Sequence, residues 1–200
     1  MYANLMKILI LLIIFAFIVT ILTFYLMIYK MCLKHYREKH GINKDTCYKM
    51  LKDLKTITHK HNIFFYLSEG TALGIYRDGD LLEWDDDVDV GIFSQDKERF
   101  FQLVVPEMRK MGYIFNVETM PKMDLHFFLK DHHMMDVEIV NPKLNCISKM
   151  ENPCYELIPH LQFIKKTWRG LELNLPKQSY YEYLYGKDWM IPKRGNKPIN

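Results

Sequence analysis

Residues 68–93 read SEGTALGIYRDGDLLEWDDDVDVGIF. Gly70-Thr71 forms a small turn near the start. Near the end, Asp85-Asp86-Asp87-Val88-Asp89 runs into an apolar stretch that predicts a strand over Asp87–Phe93. Side chains alternate along a strand, so Asp85, Asp87 and Asp89 are expected on one face, with Val88 and Val90 on the other. By the same alternation Asp86 is expected to point away and to be structural. Like charges so close raise one another's pKa unless a cation lies between them. Three acceptor-only oxygen donors on one face suit a hard cation, Mg2+ or Mn2+. A calcium loop starting at Asp85 would need Gly at its sixth position and Glu at its twelfth. Val90 and Asp96 stand there, which argues against it. A solvated acidic face stays open as an alternative, although Trp84 and the apolar strand bracket the run. Gly70-Thr71 upstream of the carboxylates suits nucleotide phosphates held on backbone N–H groups. An ordinary strand–helix turn is the alternative there.

Working outward, Ile63–Leu67 predicts a strand entering that turn, and residues 71–77 a short helix whose amino end faces the phosphate site. Asp78-Gly79-Asp80 is a turn. Cys47, Met50, Leu51, Leu54 and Ile57 follow helical spacing within Asp45–Lys60. Gln95–Met111 predicts an amphipathic helix ended by Gly112. Tyr113–Val117, Leu125–Lys130 and Met134–Val140 predict strands, the last two joined through Asp131-His132-His133. Residues 141–160 predict an irregular loop, Phe163–Trp168 and Leu171–Leu175 a hairpin through Arg169-Gly170, and 177–186 a final helix. This order predicts an α/β (α+β) fold, a small mixed sheet flanked by helices.

The chain has 200 residues and a formal net charge of +3. Residues 1–44 hold six of the 27 Lys/Arg and one of the 24 Asp/Glu; residues 45–200 hold the other 21 and 23. The remainder is slightly acidic, which argues against a nucleic-acid binder. Leu5 to Tyr29 is apolar apart from Lys7. As a helix it would extend roughly 37 Å, more than a bilayer core of about 30 Å. The predicted organisation is a transmembrane anchor over 1–30, a basic stem over 31–44 suited to anionic lipid, and a folded domain over 45–200. A cleaved signal peptide is the alternative for the first segment, against which stands the lack of a small-residue cleavage site. Lys30, Lys34, Arg37, Lys39 and Lys44 follow the anchor, so the positive-inside rule puts the domain in the cytosol. Cys146 and Cys154 would be free to pair in an oxidising compartment. No Cys-x-x-Cys pair and no Asn-x-Ser/Thr sequon occurs.

Leu67-Ser68-Glu69-Gly70-Thr71-Ala72-Leu73-Gly74-Ile75-Tyr76-Arg77, followed by Trp84-Asp85-Asp86-Asp87-Val88-Asp89-Val90-Gly91, resembles the LicD/fukutin family of the nucleotidyltransferase-like superfamily. Leu175-Pro176 and Tyr180-Tyr181-Glu182-Tyr183-Leu184-Tyr185-Gly186-Lys187-Asp188-Trp189-Met190-Ile191-Pro192 resemble its closing segment. The resemblance covers roughly residues 60–192. It departs at Glu69, where the family often has Gly or Ser, and at Leu82-Glu83, where Ile-Pro is usual.

Bacterial members move phosphocholine from a cytidine-diphosphate donor onto glycans, and animal members move ribitol phosphate from CDP-ribitol in the Golgi. The resemblance thus implies a metal-dependent transferase of phosphorylated alcohols, with a nucleotide diphosphate donor of CDP type, a glycan acceptor and Mg2+ or Mn2+ as cofactor. It implies a single-pass protein of the Golgi or ER membrane if the source is eukaryotic, which conflicts with the positive-inside reading. Asp87, Asp89 and Asp136 are the implied catalytic residues. Asp85, Asp87, Asp89 and Asp136 are the expected metal ligands, and Gly70, Thr71 and Arg77 are expected to bind donor phosphates. Asp136 is chosen because Met135-Asp136-Val137 matches the hydrophobic–acid–hydrophobic pattern of the third carboxylate; Glu138 shares its face and is second choice, and a hairpin-edge charge is the alternative. Arg77 has a helix-end salt bridge as its alternative. Lys165, Lys166 and Arg169 read as a solvated hairpin rather than a phosphate site, and His132 and His133 as turn residues. His126 is placed on the open sheet face, and Tyr185, Trp189 and Pro192 are expected to pack the carboxyl end onto the domain. Two rival functions are a nucleotide-sugar glycosyltransferase using Asp87-Val88-Asp89 and a non-catalytic glycan- or protein-binding relative.

Overall fold

A computed structural model describes residues 2–40, 42–120, 123–141, 161–194 and 197–198. Cys146, Cys154 and the 142–160 part of the expected loop lie outside the described residues. The chain divides into two units, Met1–His40 and Gly41–Asn200.

The first unit is one helix, α1 (Tyr2–His40). Its stretch Ile10–Tyr29 has mean hydropathy 2.8 and no buried residue, long and apolar enough to cross a membrane by length and composition. The helix runs past the apolar segment to His40, through most of the residues read as a stem.

The second unit begins with α2 (Lys44–Lys60), capped by Asn43, whose Oδ1 accepts the N–H groups of Asp45 and Thr46 at 3.1 and 3.0 Å. Its apolar stripe, Cys47, Met50, Leu51, Leu54 and Ile57, is buried. Next come β1 (Phe65–Leu67), α3 (Glu69–Arg77) and β2 (Asp87–Phe93). The expected helix over Gln95–Met111 is one helical stretch of changing pitch. A 3-10 turn (Ser94–Asp96) leads to α4 (Lys97–Arg99), a π-turn (Phe100–Val104) and α5 (Val105–Lys110). Then follow β3 (Ile114–Met120), β4 (Met123–Lys130) and β5 (His133–Val140). The chain closes with hairpin β6 (Phe163–Trp168)–β7 (Leu171–Pro176), α6 (Gln178–Tyr185), and the short pair β8 (Lys193–Arg194) and β9 (Lys197–Pro198). Arg169 and Gly170 take φ of +49 and +79, and Asp131 and His132 +49 and +66. Positive φ at both central residues is the signature of tight hairpin turns.

The sheet has strand order β1-β2-β5-β4-β3. Only β2 and β5 run parallel; the other pairs are antiparallel. This mixed α/β arrangement is the predicted fold class. Pairing puts Val88 beside Met135 and Phe128 in turn, and Val90 beside Val137 and His126. All six are buried, in a core shared with α2 and with Phe100, Val104 and Met108 of the helical stretch. The residues between them, Asp87, Asp89 and Asp136, therefore emerge on the opposite face. One face of the sheet builds the core, and the other carries the acids.

Candidate active site

The site grows from the β1–α3–β2 unit. Ser68 N–H donates to Asp89 O at 3.0 Å and so closes the end of the β1–β2 pair. Glu69 then turns the chain into α3 with φ +40, a left-handed conformation that costs an L side chain about 1–2 kcal/mol. Thr71 binds back to β2: its Oγ1 accepts Asp89 N–H at 2.8 Å, and its N–H and Oγ1 approach Asp89 Oδ2 at 3.3 and 3.4 Å. Gly70 lies against the acids. A Cβ there would sit 2.4 Å from Asp85 Oδ2 and 3.6 Å from Asp89 Oδ2. The Gly-Thr turn read as a phosphate cradle is thus also the brace of the carboxylates.

Asp85, Asp87 and Asp89 converge, each offering one oxygen within 4.8 Å of the others. Asp136 lies beside Asp89 in the parallel β2–β5 register. All four line one cavity of about 680 Å³, with Glu69, Gly70 and Arg77. Its other wall is the closing segment, including Leu184, Tyr185, Asp188, Trp189 and Lys193. That wall is tied to α3: Tyr180 Oη accepts Glu69 N–H at 3.0 Å, and the rings of Trp189 and Tyr76 meet edge to face with centroids 5.7 Å apart. The two stretches that carried the resemblance, far apart in sequence, therefore meet across one cavity.

Electrostatically the cluster is unbalanced. Burial, followed by the charges of Asp87, Glu69, Asp85 and Asp136, pushes the Asp89 carboxyl well above the usual range. Burial, opposed by hydrogen bonds from Asp86 N–H and with Asp87, pushes Asp85 up to about 6. Mutual repulsion contributes as expected from the sequence, but burial is the larger cause. Several hard oxygen donors held together by backbone-anchored neighbours suit Mg2+ or Mn2+. Asp85, Asp87 and Asp89 are the set that fits such an ion, with Asp136 adjacent.

Other residues divide. Asp86 does not point away; it lines the cavity with its neighbours. Alternation fails upstream of Asp87 because β2 starts there, after a turn at Glu83-Trp84 and two residues, Asp85 and Asp86, outside any strand. Arg77 lines the cavity, but its Nε and Nη2 bind Asp78 at 2.7 Å each and its Nη1 donates to Trp189 O at 3.3 Å. Lys165 binds Glu172 at 2.8 Å, Lys166 donates to Tyr76 O at 2.8 Å, and Arg169 binds Asp45 at 2.5 Å, in keeping with a structural hairpin. His126 is buried between the rings of Phe101 and Phe115, on the core face rather than the open face. Its position next to Phe127 and Phe128 offers no sign of this beyond the alternation it shares with Phe128. His133 accepts Asn43 N–H at 3.0 Å on Nε2, a structural tie. Trp189 packs as expected, while Tyr185 faces the cavity. Lys193 carries no signal in the sequence, and Trp84 entered as a bracket of the acidic run and as part of the resemblance, with no site role; both line the cavity. Glu138 lines a smaller cavity of about 90 Å³ behind Asp89 and Asp136, with Ser68 and Glu69.

Residues 62–119, which contain the whole β1–α3–β2 unit, match the family model described as LicD/FKTN/FKRP, nucleotidyltransferase domain. An uncharacterized protein of Rickettsia typhi is 35% identical over 82 residues, 40% of this chain and 25% of its own length. The ribitol-5-phosphate transferase FKTN of Homo sapiens is 28% identical over 149 residues, 67% of this chain and 31% of its own length. The chain thus spans about a quarter to a third of these curated relatives. Among solved structures, ANT(2")-Ia in complex with adenylyl-2"-tobramycin aligns with TM-score 0.48 and 13% identity, over 72% of this chain and 77% of that one. The family match over the acid-bearing unit, joined by the similarity to FKTN that extends beyond it, makes this chain similar to the LicD/fukutin family and its nucleotidyltransferase domain.

Proposed function

We propose that this protein is a divalent-metal-dependent transferase that moves a phosphorylated alcohol from a nucleotide diphosphate donor, of CDP type, to a glycan hydroxyl. The observation that carries this reading is the meeting of Asp85, Asp87, Asp89 and Asp136 on one wall of a cavity that Gly70 and the start of α3 border. The cavity volume lies in the ordinary range for small-molecule sites. Mg2+ or Mn2+ held by Asp85, Asp87 and Asp89 would offset the charge of the donor's phosphates. Asp136 takes the proton of the acceptor hydroxyl. The acceptor oxygen bonds to the phosphorus carrying the alcohol, and the bond from that phosphorus to the bridging oxygen breaks, releasing the nucleoside monophosphate. The amino end of α3 supplies backbone N–H dipole toward the phosphates. The helix α1 would hold the enzyme at a membrane, a Golgi or ER membrane in a eukaryote.

One observation favours a second reading, a non-catalytic relative that binds glycan or protein. Glu69 puts a further carboxylate in the cavity where phosphate would approach. The test is calorimetric titration of Mn2+, then CDP, UDP and their linked donors, into the full chain in detergent, alongside Asp87→Asn/Asp89→Asn. Metal-dependent cytidine-nucleotide binding that the double variant loses, with turnover of a CDP-linked donor, is the expected result. Metal binding without nucleotide binding or turnover would leave the non-catalytic reading, and tighter binding of a UDP-sugar would favour a glycosyltransferase.

A further inference from the structure

Resting on that reading, we propose that Lys193 is the mobile cation that receives the donor's phosphates across the cavity from the acidic wall. Carboxylates crowd the cavity, so a nucleotide diphosphate entering it needs positive charge from the protein as well as from an ion. Among the described residues that line it, the cations are Arg77 and Lys193. Arg77 is spoken for. Its side chain is 4% exposed and its guanidinium is fixed to Asp78 and Trp189 O, on three of the faces through which it could grip a phosphate. Leaving that position would strand a buried charge and break a bidentate pair.

Lys193 is differently placed. It follows the closing segment, lines the same cavity as Asp85–Asp89, and its side chain is 31% exposed. Its Nζ pairs with Asp188, a carboxylate 51% exposed that also lines the cavity. An ion pair between solvated groups is worth little and exchanges readily. A lysine on a four-carbon arm can therefore leave Asp188 for a phosphate without unfolding anything, as a compact charge with rotatable donors. Asp188 serves as the resting partner that holds the ammonium until substrate arrives. The closing segment then does more than seal the fold: it brings the phosphate-binding charge that the strand-borne acids lack.

The experiment measures CDP and cytidine binding to the full chain in detergent with saturating Mn2+, for wild type, Lys193→Met, Lys193→Arg and Asp188→Asn, with Mn2+ binding alone and thermal melting recorded for each. The expected result is about a tenfold or greater loss of CDP affinity in Lys193→Met, the scale of one charged hydrogen bond. Lys193→Arg keeps most of the affinity, Asp188→Asn loses none, and Mn2+ and cytidine binding stay as in wild type. CDP binding by Lys193→Met equal to wild type overturns the assignment while leaving the transferase reading intact. An Asp188→Asn loss as large as that of Lys193→Met also overturns it, because the segment's structure rather than the lysine's charge would then be responsible. Wild-type protein that binds Mn2+ but no nucleotide overturns both this inference and the reading on which it rests.

Discussion

Asp89 is held from two sides, by its own strand and by Thr71. The hydroxyl of Thr71 accepts the Asp89 N–H and, with the Thr71 N–H, borders Oδ2. Partners of this kind orient a ligand oxygen without touching the ion, and their loss costs roughly ten- to hundredfold in metal affinity. Thr71→Val is expected to weaken Mn2+ binding by that factor while the chain stays folded, which calorimetry and circular dichroism together would check. Nothing in the sequence distinguishes a threonine that binds phosphate from one that aims a carboxylate, because both need the same small hydroxyl residue after a glycine. Asp87, Asp89 and Asp136 were legible because each alternates with buried apolar neighbours on a strand. Asp86 was misread because the rule of alternation was carried one turn too far upstream. Arg77 was ambiguous for a local reason: Asp78 beside it offers a carboxylate at no cost in chain entropy.

Among elements, β2 bears the most constraint. It pairs antiparallel with β1 and parallel with β5, and its face opposite the core must accommodate acids and an aromatic ring. At Gly91 the ring of Tyr66, across the β1–β2 pair, lies over the backbone; a Cβ would fall 2.2 Å from Tyr66 Cζ. Tyr66 is fully buried and cannot step aside. Gly91→Ala should therefore cost about 1–3 kcal/mol of stability, as overpacking does, seen as a lower denaturation midpoint in urea. Gly91→Ala with Tyr66→Phe should recover little, since the clash is with the ring as well as the hydroxyl. The strand itself was readable from its alternation. The glycine within it was not, because the need for space comes from a residue on another strand. The π-turn at Phe100–Val104 was likewise hidden: an amphipathic pattern fixes which face is apolar, not how many residues close each turn.

Across the whole molecule, the elements and their class follow from periodicity, whereas the site depends on where the chain returns. The carboxyl-terminal wall of the cavity could be assigned from the sequence only as packing, since no local signal says that Tyr185 and Lys193 line the same cavity as Asp85–Asp89. The cluster also shapes global stability. Asp85, at about 6, and Asp89, also raised, bind protons more tightly folded than unfolded. A carboxyl with a raised folded pKa stabilises fully below its unfolded value, near 3.8, and this stability is lost as pH rises through the folded pKa. The acids with lowered values, Asp80 and Glu107 among them, lie below that window and hold steady across it. Ion-free protein should accordingly melt at lower temperature at pH 7.5 than at pH 5. Mn2+ should raise the melting temperature more at pH 7.5, where the ligands are ionised. Equal stabilisation by Mn2+ at both pH values would count against an ion held by these acids.

The parallel pairing of β2 with β5 has a consequence for synthesis. As the ribosome extends the chain, β2 emerges long before the strand that will flank it, since the helical stretch, β3 and β4 come between. During that interval an apolar strand with one unfilled edge is open to pairing with other nascent chains. The acidic residues at its start act then as gatekeepers, their mutual repulsion keeping like strands apart until β5 arrives. The same charges that burden the ion-free folded state guard the unfinished one.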